Sequence, residues 1–207
     1  MSFKRAPYYL SVLIGAIVLF NIVGFIKAER APVAISSHAS IPNYALQNAR
    51  IYLSDKEYSR SSLYMDEAVR SFQYLRDKST DESRQKLDAG LKALRTVKSQ
   101  MDLGYFNETS LNKNSVIALN ALIYYEIASA KDFILEDKRP EAMKAVSFAI
   151  DNLRYALDFA EGNKKEYEVQ VFSDMDMIMS DYYMDKSDFI ETLDSILVEL
   201  DDLEVAY

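Results

Sequence analysis

Cysteine and tryptophan are absent from this 207-residue chain, histidine occurs once, and there are only five glycines and four prolines. Without cysteine there is no disulfide, no thiol nucleophile, no thiolate metal site and no residue to acylate as a lipoprotein anchor. With His38 alone, in a stretch of small residues, neither a Ser-His-Asp triad nor the Glu-x-x-His pairs of a carboxylate-bridged diiron site can be assembled. No Gly-x-Ser-x-Gly elbow, Walker loop or Gly-x-Gly-x-x-Gly fingerprint occurs, so a serine nucleophile and a nucleotide both lack their usual cradle. Paired acids are plentiful, but helices so poor in glycine and tryptophan give little sign of a glycosidase cleft. The chain reads as non-enzymatic and without a cofactor.

Hydrophobic residues make up 49%, which together with the scarcity of glycine and proline argues against disorder. Fifteen tyrosines, ten phenylalanines and eight methionines supply the packing. Net charge is −8 and unevenly spread: residues 1–34 carry +3, residues 35–165 carry +1, and residues 166–207 carry −12. An acidic end of that strength argues against nucleic acid and anionic lipid headgroups as its partners and suits a basic protein surface, or cations, better.

One long uncharged run stands out. Tyr8 to Ile26 (YYLSVLIGAIVLFNIVGFI) holds nineteen residues without a charge, close to what a helix rising about 1.5 Å per residue needs to cross a ~30 Å hydrocarbon core. It is longer than the apolar core of a cleaved signal, and the nearest cleavage pattern, Ser37-His38-Ala39, lies far downstream. The expectation is a retained anchor over residues 1–27 and a linker over 28–43. Lys4 and Arg5 precede the run, against a near-balanced Lys27, Glu29 and Arg30 after it. That bias places the N-terminus in the cytoplasm and the bulk of the chain outside an inner (cytoplasmic) membrane, in the periplasm or its equivalent. Ser11 and Gly15 form a small-xxx-small pair that, with Asn21, can seat this helix against another.

From Tyr44 the apolar period is helical. Ala45, Leu46, Ala49, Tyr52 and Leu53 form one stripe; Leu63, Ala68, Val69, Phe72 and Leu75 form the next. Leu87, Leu91, Leu94, Val97 and Met101 mark a third helix ended by Gly104. GYFNETS (104–110) reads as a loop with a Ser/Thr cap, containing the formal glycosylation sequon Asn107-Glu-Thr109. Val116 to Leu135 reads as a helix buried on much of its circumference. Pro140 opens a helix through Ala142, Val146, Ile150 and Leu157, and Ser187 to about Val205 forms the last, with Phe189, Leu193, Ile196 and Leu200 inward. Glu166–Asp185 fits both periods; a helix with Val169, Phe172, Met175, Met179 and Tyr182 on one face is preferred, since a lone strand has no sheet to join. The predicted fold class is all-α: a single transmembrane helix, then a bundle or array of about six helices in residues 44–207.

Breaks recur at Leu53-Ser-Asp-Lys56, Leu135-Glu-Asp-Lys138 and Tyr183-Met-Asp-Lys186, each followed by a helix of similar pattern. This is similar in style to tetratricopeptide-type helical hairpins, without that family's period of about 34 residues or its Trp and Gly-Tyr marks. The resemblance implies a contact surface for other proteins.

The Met/Asp-rich stretch 174–185 offers three readings. Asp174, Asp176 and Asp185 fall at positions 1, 3 and 12 of a calcium loop, but Ile178 and Met179 occupy positions where a ligand and glycine belong. Met175, Met177, Met179 and Met184 could offer thioethers to Cu(I), though only Met175 and Met179 share a helix face. The favoured reading is an amphipathic helix with methionine in the core, and no metal site is assigned.

The expectation is therefore a membrane-anchored, extracytoplasmic accessory or scaffolding subunit of a larger membrane complex. Ser11, Gly15 and Asn21 would meet other membrane helices, and Asp201 and Asp202 a basic partner; self-association is open. The alternative is a Ca- or Cu-responsive sensor module.

Overall fold

The computed structural model describes residues 41–79, 81–159 and 164–205, apart from the side chains of 81, 164–168 and 202–205. Every element among them is a helix: α1 Ile41–Ser54, α2 Tyr58–Lys78, α3 Asp81–Asp102, α4 Glu108–Leu135, α5 Arg139–Phe159, α6 Lys164–Ser180 and α7 Lys186–Val205. The all-α expectation holds, with seven helices among the described residues rather than about six. Tyr8–Ile26, with Ser11, Gly15 and Asn21, and His38 lie outside the described residues; within them no helix is long and apolar enough to cross a membrane.

Short connections make successive helices antiparallel neighbours. Arg76–Asp88 at 2.8 Å, Arg95–Gln73 at 3.0 Å and Lys98–Asp66 at 3.4 Å are rungs between α2 and α3. Glu82–Tyr124 and Ser110–Gln100, both at 2.7 Å, tie α3 to α4. Helix α4 then takes two further partners, α1 on one side and α7 on the other. The result is two four-helix rings, α1–α4 and α4–α7, sharing α4. This explains why α4 is buried nearly all round, including Val116, Leu119, Leu122, Ile123, Ile127 and Phe133. α7 runs antiparallel to α4, with Lys131 on Asp194 at 2.5 Å and the Lys186 ammonium donating to the Leu135 carbonyl at 3.1 Å.

The helix ends show where sequence expectations shift. α1 starts at Ile41, inside the expected linker, with Pro42 in its first turn where a missing N–H costs nothing. α4 starts at Glu108, not Val116, and its cap is Asn107 rather than a Ser or Thr: the Asn107 side chain accepts from the Ser110 N–H at 2.9 Å. Gly104, at φ 81°, ends α3 as expected, with the Tyr105 N–H reaching the Gln100 carbonyl at 2.9 Å.

The three sequence breaks are not one structural unit. Leu53–Lys56 and Leu135–Lys138 both close a helix by the same backbone pattern, but the left-handed residue is Lys56 (φ 62°) in the first and Asp137 (φ 61°) in the second, one position out of register. Tyr183–Lys186 instead leads into α7, where the Phe189 N–H bonds the Asp185 carbonyl at 2.9 Å.

Two apolar stripes are also rotated. Leu63 is 59% exposed, and α2 buries Met65, Ala68, Phe72 and Leu75 instead. On α6 the buried row is Val171, Met175 and Ile178, while Val169 faces out and Tyr182 lies exposed in the turn beyond the helix. Segment 164–180 is helical, as preferred over the strand reading.

Between the rings, α1 and α5 run parallel through a buried pair: Asn43 donates its amide to the Asn152 side-chain oxygen at 2.9 Å, while the Asn152 amide nitrogen is buried without a partner. Asn152→Leu alone strands the Asn43 amide and is expected to cost about 1–3 kcal/mol. The double change Asn43→Leu/Asn152→Leu is expected to lose less than the sum of the singles. Urea denaturation of the four proteins checks this; additive losses would mean the pair is not coupled.

Candidate functional site

Because α1 and α2 bury narrow stripes, their rings are left on the outer face of the hairpin. Tyr64 stacks on Tyr52 (centroids 5.3 Å) and meets Tyr44 edge-on (6.4 Å), while the Arg60 guanidinium lies 5.3 Å from the Tyr52 ring centre. Burial and the neighbouring Tyr52 and Tyr44 phenols push the Tyr64 hydroxyl above its ordinary value. Tyr44 is 56% exposed, and Ile51 and Leu63, each next to a ring residue in sequence, are about half-exposed. Beyond them Tyr58 stacks on Phe106 at 4.4 Å, beside exposed Leu103 and Tyr105. Tyrosine, arginine and aliphatic groups in one patch are the composition of protein contact surfaces.

The acidic end is built differently from the expectation. Asp201 is bound within the chain, its carboxylate 2.7 Å from the Lys86 ammonium of α3, and the Asp202 side chain lies outside the described residues. Asp176, Asp181, Asp185, Asp188 and Glu191 are the other exposed acids of α6–α7 and the turn between them. Desolvation and the nearby Asp174 carboxylate push Glu199 upward, so these two helices face acid to acid at that point.

Asp174 and Asp176 sit on a continuous helix and Asp185 follows a turn, so the twelve-residue calcium loop is not formed. Asp174 accepts from the Gln170 amide at 3.1 Å. Met175 is fully buried, Met179 half-buried and Met177 exposed. Among the described residues no three His, Asp or Glu side chains gather as metal ligands.

Two features had no signal in the reading of the sequence. Glu126, in the middle of α4, is fully buried with neither carboxylate oxygen hydrogen-bonded, and burial alone pushes it up to about 8. Its neighbour Tyr125 is pushed up to about 12 by burial and then by the Glu126 charge. The other is a cavity of about 180 Å³ where α7 meets α3 and α4, walled by Ala89, Ile117, Ala121 and Leu200, with Lys86, Tyr124 and Asn120 completing its lining. A glutamate among apolar neighbours and a void closed by a helix far along the chain leave no local pattern to read.

Compared with known protein families, curated proteins and solved structures, the chain matches none of them.

Proposed function

We propose that the chain is a non-catalytic, membrane-anchored interaction protein, an accessory or scaffolding subunit of a larger membrane complex. In this reading Tyr8–Ile26 is a single-pass anchor with a cytoplasmic N-terminus, seated against other membrane helices through Ser11, Gly15 and Asn21, and the helical domain is extracytoplasmic. The observation that carries the reading is the Tyr44–Tyr52–Tyr64 face with Arg60, which presents large, rigid side chains at low entropic cost of ordering. The exposed acids Asp176, Asp185, Asp188 and Glu191 supply a second contact region, suited to a basic partner surface.

Purifying the tagged full-length chain in gentle detergent, with mass spectrometry of what accompanies it, tests this. The expected result is stoichiometric recovery of other membrane proteins. The double substitution Tyr44→Ser/Leu63→Ser, at two outward-facing positions, is expected to cut that recovery at least tenfold with helical circular dichroism unchanged. Recovery of the chain alone, or partners retained by the double variant, defeats the reading.

A further inference from the structure

We infer that the gap left between α3 and α7 over α4 is a binding site for a compact hydrocarbon: one ring carrying at most small alkyl groups, with no hydrogen-bonding atom. The origin of the gap, its size and the state of its polar neighbours converge on that class.

Among the described residues α3 and α7 both pack on α4 but not on each other. The Lys86–Asp201 ion pair, at 2.7 Å, spans the space between them. The residues that α3 and α4 turn toward it include Ala89 and Ala121, too short to close it, and Leu200 of α7 lines the far side. About 180 Å³ stays open. An engineered apolar cavity of ~150 Å³ remains dry and takes up benzene, so one ring with small substituents fits here. Ala121, Tyr124 and Leu200 are buried and form the floor, while Lys86, Ala89 and Ile117 are half-buried and form a rim through which a guest can enter.

Three of the lining residues carry polar groups, and none of these is offered to a guest. The Lys86 ammonium is held by Asp201 and lies 5.3 Å from the Tyr124 ring centre. The Tyr124 hydroxyl donates to Glu82 at 2.7 Å. The Asn120 amide nitrogen and oxygen are both sealed in the surrounding packing, out of reach of solvent. What a guest meets is carbon: methyl and methylene groups and the Tyr124 ring. A hydroxyl or carbonyl on the guest would give up its water and gain no partner, at a loss on the order of tenfold or more in affinity.

An occupant touches α3, α4 and α7 at once, and so supplies the packing that α3 and α7 do not give each other. A ligand that binds only the docked arrangement stabilises it in proportion to its affinity. The hydrocarbon would thus set how firmly the acidic helix is held on the rest of the bundle.

The test uses the full-length chain in detergent with p-xylene and hydroquinone as probes, each at a free concentration fixed by dialysis so that uptake into micelles does not enter. The two have nearly the same shape, and hydroquinone, with a hydroxyl at each end, cannot turn both toward the rim. p-Xylene is expected to slow hydrogen exchange in α7 severalfold and to bind at least tenfold tighter than hydroquinone. Ala89→Leu, which fills the cavity from its half-buried side, is expected to abolish the p-xylene response with helical circular dichroism unchanged. The inference is overturned if p-xylene leaves α7 exchange unchanged, if hydroquinone equals p-xylene in the unsubstituted chain, or if folded Ala89→Leu keeps the response. The comparison of the two probes needs no variant, so a variant that fails to fold does not remove the test.

Discussion

Replacing Glu126 with methionine is expected to raise the stability of the helical domain by about 3–5 kcal/mol at pH 9 and by much less at pH 5, taking about 1.4 kcal/mol per unit of pKa shift. The group's ordinary value is 4.5, and burial without a single hydrogen bond moves it to about 8 in the folded chain. A carboxyl raised in this way binds its proton more tightly in the folded state than in the unfolded one. Between the two values folding therefore takes up a proton, and stability falls as pH rises. Below about pH 4.5 both states are protonated and nothing is lost; above about 8 the loss is complete. Methionine keeps the length and removes the charge, so that window should flatten. The measurement is urea denaturation of both proteins at pH 5, 7 and 9. Parallel profiles for the two proteins would sink the account, since the pH dependence would then arise elsewhere.

This glutamate also shows where sequence reading stops. The number and order of helices from Leu87 onward followed from stripes and stop signals, and Gly104 ends α3 as its position suggested. Those are local properties, decided within one or two turns of chain. The errors lie where the partner helix decides. Leu63 fits the period of α2 as well as Met65 does, and only the placement of α1 and α3 turns Met65 inward. Val169 loses to Val171 on α6 for the same reason. The Lys86–Asp201 pair, which occupies a carboxylate expected to face a partner, joins residues far apart in sequence, so no spacing rule could have found it. On α4, apolar residues on every side announced burial without saying which polar residue would be trapped. Glu126 and Asn120 look no different in sequence from the exposed polar residues of the other helices.

The shared helix α4 also explains why the second large effect falls on a glycine of α3. Gly90→Leu is expected to cost at least about 3 kcal/mol, the upper part of the range for overpacked cores. A glycine inside a helix is ordinarily a weakness, and alanine there would gain up to about 1 kcal/mol from propensity alone. At Gly90 a Cβ would sit 2.8 Å from Phe72 Cε1, 3.1 Å from Ala121 Cβ and 3.2 Å from Ala118 Cα. The first of these is a ring edge on α2, fully buried and hemmed in; the third is backbone of α4, which is held by α1, α5 and α7 as well and has nowhere to go. Gly90→Ala therefore sets a propensity gain against a clash and is expected to come out mildly destabilising. Leucine adds three more carbons to the same gap and must push α3 off α4. Shortening the ring side should relieve only its share: Gly90→Ala/Phe72→Leu is expected to be more stable than the sum of its single changes predicts, by about 0.5–1.5 kcal/mol, within the usual span for residues in contact. Thermal and urea unfolding of the four proteins reads the coupling directly. Additivity, or a Gly90→Leu chain as stable as the original, would mean that α3 and α4 have slack at this crossing and that their close approach does not hold the first ring of helices together.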